Sequence, residues 1–95
     1  MEADEIIHVH LIFKGRVQGV GFRATALRFA NNLSLKGTAS NLSDSSVEIF
    51  VQGKKSLINE FVKEIKDYFG GYIEEVIIRN NEIPSIHFTS FKILH

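Results

Sequence analysis

Gly15-Arg16-Val17-Gln18-Gly19-Val20-Gly21-Phe22-Arg23 is the stretch on which the rest of the chain turns. It leaves a run of alternating residues, crosses three glycines and enters a run with helical spacing, so a strand ends and a helix begins within it. Glycines at 15, 19 and 21 allow dihedrals and close approaches that a Cβ obstructs. The first N–H groups of a helix have no intrahelical acceptor, so a phosphate or carboxylate can use them at little cost. With Arg23 in the first helical turn, the segment reads as an anion-binding cradle whose donors come from the backbone and whose charge comes from the guanidinium. The same spacing suits a glycine-rich strand-to-helix turn carrying two solvated arginines, and glycine count alone does not separate the two.

Upstream of the glycines, Ile7, Val9, Leu11 and Phe13 alternate with His8, His10, Ile12 and Lys14. Period two makes this a strand with one apolar face, and its mixed second face predicts a central strand in a sheet covered on one side only. Downstream, Phe22, Ala26, Phe29 or Ala30, and Leu33 recur at helical intervals, which predicts a helix over Phe22 to Leu33. Gly37 to Leu42 reads as a short second strand, Leu42 to Ser46 as a turn, and Val47, Ile49 and Val51 as the inward residues of a third strand hairpinned to the second. A second helix follows from about Ser56 to Tyr68, with Leu57, Phe61 and Ile65, and Ile58, Val62 and Phe69 beside them, making a wide apolar band. Gly70-Gly71 ends it. Ile73 to Arg79 forms a fourth strand with Val76 and Ile78 inward, and a turn opens at Asn80-Asn81-Glu82. Pro84 excludes a central strand there, while Ile86, Phe88, Phe91 and Ile93 allow a short edge strand.

This order, strand-helix-strand-strand-helix-strand plus a terminal strand, predicts an α+β domain of two helices packed on one face of a mostly antiparallel sheet. A right-handed crossover sets strands one and three side by side, the split arrangement called ferredoxin-like. The glycine loop then lies beside Asn41 at the end of the second strand.

Ninety-five residues, 44% of them hydrophobic and 23% charged, make a single domain spanning 1–95 with an ordinary globular core. Lys plus Arg and Asp plus Glu each number 11, so no global field attracts nucleic acid or an anionic membrane, although a local positive pocket remains open. Cysteine is absent, which removes disulfides, thiolate nucleophiles and thiolate metal sites. His8 and His10 share a strand face but lack an ordered acidic or thiol partner set, so no metal and no cofactor is expected. The acidic start Met1-Glu2-Ala3-Asp4-Glu5 is unlike a secretory signal, and no apolar run reaches membrane-spanning length, making the cytoplasm the default location. A monomer is the simplest expectation.

The segment from Gly15 through Arg23 resembles the first signature of the acylphosphatase family. Gly37-Thr38-Ala39-Ser40-Asn41, followed by Asp44 and Val47-Glu48, is similar to the second, and the likeness extends over nearly the whole chain. It implies the ferredoxin-like fold and metal-free hydrolysis of a small acyl phosphate to a carboxylate and inorganic phosphate. By position, Arg23 would bind and polarise the phosphate, and the backbone amides of Arg16, Val17, Gln18, Gly19, Val20, Gly21 and Phe22 would surround its oxygens. Asn41 would position the attacking water, with the substrate's own phosphate helping to accept the proton.

The chain departs from the family pattern at Thr38, where an aromatic is common, at Ala39, where valine is, and at Ser45, where the hairpin usually carries glycine. The first two predict lost packing volume that Phe50 or a terminal aromatic could fill. The third predicts another turn geometry or strain. Gln18 is expected to brace the loop through its amide, and Arg16 to charge the pocket rim. A noncatalytic phosphate-binding module retaining the cradle is the competing reading. A nucleic-acid or protein interaction domain is disfavoured by neutral composition and the lack of a basic aromatic platform. The resemblance also covers domains that begin larger carbamoyl-transfer maturation enzymes, but without a following zinc-binding region an independent small enzyme is the better match.

Overall fold

The computed structural model describes residues 5–80 and 87–95. The expectations for the acidic start before residue 5, for Asn81 and Glu82 in a turn, and for Pro84 and Ile86 lie outside them. The elements are β1 (Ile6–Gly15), α1 (Phe22–Asn32), β2 (Lys36–Asn41), β3 (Val47–Lys54), α2 (Lys55–Phe69), β4 (Ile73–Asn80) and β5 (Phe91–Leu94), with a single 3-10 turn over Gly70–Tyr72. The sheet order is β4-β1-β3-β2-β5, antiparallel throughout except where β5 runs parallel to β2. The predicted ferredoxin-like α+β sandwich is therefore the observed fold, with β1 and β3 adjacent at its centre.

The alternation that made β1 legible fixes its orientation. Val9, Leu11 and Phe13 are buried with Val47, Ile49 and Val51 of β3. Phe22, Ala26 and Ala30 of α1 and Ile58, Phe61, Ile65 and Phe69 of α2 close the core from the other layer. Leu57, expected at the centre of the α2 stripe, is only half-buried, and Ile58 takes the deeper place. Aromatic contacts join the layers: Phe22 lies 5.1 Å from Phe13 and 4.5 Å from Phe69, centroid to centroid. Anchoring Phe22 this way fixes the first turn of α1, and with it the origin of the Arg23 side chain.

One inward assignment needs correction. Val76 packs against the core, but Ile78 is 54% exposed although it shares that face of β4. β4 is an edge strand beside β1, and cover on that face fades between Val76 and Ile78. Alternation gives the face a residue is on; it does not give the extent of the cover.

The two substituted positions in β2 point to opposite faces. Ala39 is buried between Ile49 and Ile93 in register, and Phe91 reaches the same core, 6.2 Å from Phe61. Thr38 pairs with Phe50 on the open face, where the Phe50 ring stacks on His10 at 4.4 Å. The terminal aromatic thus serves the core side and Phe50 the solvent side. Ser45 takes the strain: its φ is +76°, in the left-handed region that costs a non-glycine residue about 1–2 kcal/mol. Asp44 compensates locally by accepting from the backbone N–H and hydroxyl of Ser46, bonds that hold its carboxyl below the ordinary carboxylate range.

Candidate active site

The glycine segment departs from β1 at a register shift between Lys14 and Gly15, and Gly15, Gly19 and Gly21 all carry positive φ, at +126°, +77° and +77°. Gly21 is also the N-cap of α1, in the left-handed conformation and without a capping side chain. The first helical bond runs from Thr25 N–H to Gly21 C=O at 3.0 Å, so the amides ahead of Thr25 have no intrahelical acceptor. Val17 is fully buried and pins the middle of the loop to the core, while Val20 stays exposed. The buried Val17 side chain thus anchors the loop to the core.

Gln18 binds the loop to the β2–β3 hairpin. Its Nε2 donates to the carbonyls of Leu42 and Ser46, both at 2.9 Å, using both hydrogens of the amide. The bracing expected from sequence is observed, and its target is the turn directly after Asn41. Removing both bonds at about 1 kcal/mol each gives an expected loss of about 2 kcal/mol for Gln18→Ala. Turnover is expected to fall about tenfold as the loop and Asn41 lose their mutual register. Thermal denaturation and steady-state kinetics on the same variant measure the two effects.

Arg23 and Asn41 line one recess of about 180 Å³, together with Val17, Gly19, Gly21, Phe22, Ala24, Ile93 and His95. At roughly 30 Å³ per water this is room for a tetrahedral anion with an attacking water beside it. The Arg23 guanidinium donates through Nη1 to the Leu94 carbonyl at 3.1 Å, which ties the charged group to β5. Asn41, at the last position of β2, is exposed and free to turn its carboxamide toward the recess.

Arg16 stands elsewhere. Its N–H donates to the Tyr72 carbonyl at 2.8 Å, and its guanidinium lies 4.8 Å from the Tyr72 ring centroid. It lines a separate opening with Lys14, Asp44 and Glu74. The irregular pairing of Gly15 with Ile73 draws the Arg16 amide toward β4, so Arg16 is removed from the expected ring of donors. The short terminal edge strand expected at Phe91 and Ile93 is present as β5, but its parallel pairing with β2, which makes it a wall of the recess, was not part of the sequence reading. A parallel neighbour for β2 leaves no periodic signature in the chain, and His95 taken alone carries no signal.

The histidine pair on β1 faces away from this recess. His10 meets Glu48 at 2.8 Å on the open sheet face, and His8 lies opposite Gln52, where burial and the neighbouring His87 both lower its pKa. Among the described residues no group of three or more His, Cys, Asp or Glu side chains is placed to hold a metal ion, and no helix is long and apolar enough to cross a membrane.

Comparison with known proteins agrees with this geometry. The acylphosphatase family model matches residues 9–93. An acylphosphatase of Treponema denticola is 36% identical over 93 residues, covering 98% of each chain. The crystal structure of acylphosphatase from Bacillus subtilis superposes with a TM-score of 0.84 at 27% identity, covering 96% of this chain and all of that one. Full-length HypF, solved in a phosphate- and nucleotide-bound form, gives a TM-score of 0.84 at 30% identity; the match covers 99% of this chain but 12% of HypF. A family match over nearly the whole length, on a fold already described, places this chain in the acylphosphatase family.

Proposed function

We propose that the recess binds the phosphoryl group of a small acyl phosphate and hydrolyses it to a carboxylate and inorganic phosphate. The observation that carries this reading is the shared recess: Arg23 and Asn41, 18 positions apart in sequence, line the same opening as Gly19 and Gly21. Amides of the segment from Val17 through Phe22 would surround the phosphoryl oxygens, and the Arg23 fork would add two aligned donors and a positive charge. Attack at phosphorus spreads negative charge over the equatorial oxygens, so fixed donors stabilise the transition state more than the ground state. A planar guanidinium suits this role better than an ammonium.

Asn41 would accept a hydrogen bond from water through its carbonyl and aim the oxygen at phosphorus. The carboxamide is too weakly basic to take the proton, which would pass to a phosphoryl oxygen of the substrate as the phosphorus–oxygen bond to the acyl group breaks. The carboxylate is a good leaving group and needs no further acid.

Hydrolysis of acetyl phosphate in the presence of a chelator tests the reading. Turnover by the wild type is expected, and Asn41→Ala is expected to lower kcat by about 100-fold while phosphate affinity changes little. Phosphate binding without turnover on several acyl phosphates would instead support a noncatalytic binding module.

A further inference from the structure

The parallel register between β2 and β5 runs Gly37 with Phe91, Thr38 with Lys92, Ala39 with Ile93 and Ser40 with Leu94. Continued by one residue, it sets His95 level with Asn41. Side chains two apart on an extended chain share a face, so His95 follows Ile93, which pairs with buried Ala39 on the helix-covered side of the sheet. Both Ile93 and His95 line the recess, and the carbonyl between them, that of Leu94, holds Arg23. The last two residues of β5 and the residue that follows it thus meet the candidate site.

We propose that His95 is a further substrate-contacting residue, its protonated imidazole sharing the bound phosphoryl dianion with Arg23 and strengthening anion binding as pH falls. The inference rests on the placement of the phosphoryl group in this recess. Histidine is the side chain whose charge ordinarily changes between pH 5 and 8, and an imidazolium beside a guanidinium adds to the attraction for a dianion. Among the described residues, Arg23 from α1 is the other charged side chain lining the recess; Asn41 from β2 and Ile93 from β5 are neutral. The remaining histidines do not line it: His8 and His10 lie on the open face of the sheet, and His87 acts on His8.

Sulfate is the suitable probe, because it stays a dianion where phosphate itself titrates. Its affinity is measured by calorimetry at pH 5.5 and 8.0 for the wild type, His95→Gln and His95→Lys, each confirmed as folded by circular dichroism. The wild type is expected to bind about fivefold more tightly at pH 5.5. His95→Gln is expected to bind at both values as the wild type does at pH 8.0, and His95→Lys to bind tightly at both. A His95→Gln protein that keeps the whole wild-type pH dependence, or a wild type with none, overturns the assignment. Calorimetry needs no turnover, so a chain that binds sulfate in the expected manner yet leaves acetyl phosphate intact rejects the hydrolytic reading while supporting this one.

Discussion

Replacing Arg23 by alanine is expected to reduce hydrolysis of acetyl phosphate by about 1000-fold, with weaker binding of inorganic phosphate. The size follows from the proposed division of labour: backbone dipoles would supply direction, and Arg23 would supply a full positive charge to a dianion whose charge spreads as the bond to the acyl group breaks. Arg23→Lys restores the charge without the planar fork, and an activity still about 100-fold below wild type is expected. The fold is expected to survive both changes, because the side-chain hydrogen bond that Arg23 makes is a partly solvated one to the Leu94 carbonyl. Steady-state kinetics, a phosphate titration and a melting curve separate the outcomes. A folded Arg23→Ala protein with unchanged turnover rejects the role.

A large effect on stability is expected from Gly15→Ala. Gly15 has a φ of +126°, and a Cβ there would run into the Tyr72 carbonyl and sit 2.8 Å from the Glu74 N–H nitrogen. Both neighbours are backbone, so neither can swing aside as a flexible side chain would. Strain in φ and overpacking together predict a loss of about 3 kcal/mol or more, read as a shift in the urea midpoint. The Arg16 to Tyr72 hydrogen bond next to it fixes where the cradle departs from the sheet, so activity is expected to fall further than the unfolded fraction accounts for. By contrast Gly19 and Gly21 have open space where a Cβ would go, and their cost is confined to backbone conformation.

The elements that sequence alone made legible are those with a strong local period. Val9, Leu11 and Phe13 declared β1, Val47, Ile49 and Val51 declared β3, and the order of helices and strands left few ways to bury those faces. Arg23 and Asn41 were legible as a pair because the crossover from β1 through α1 to β2, which leaves room for β3 between the two strands, brings the end of β2 to the glycine loop. Properties that depend on where one element stops covering another were not legible. Ile78 has the spacing of a core residue on an edge strand where cover fades, and Leu57 gives way to Ile58 by a rotation of α2 too small for periodicity to resolve. Arg16 looked like a cradle donor because the loop was read without β4, whose Tyr72-proximal end takes up its amide. The β5 wall escaped because parallel pairing beside β2 is decided by long-range packing rather than by any residue in Phe91–Leu94.

That wall links catalytic competence to the completion of folding. The guanidinium proposed to serve the phosphoryl group is steadied by a carbonyl 71 positions along the chain, on a four-residue strand at the margin of the sheet. Short marginal strands open more readily than the centre of a sheet. The protein would therefore lose its working geometry through detachment of a few terminal residues while most of its core stays intact, and activity would report on the last and weakest closure of the fold.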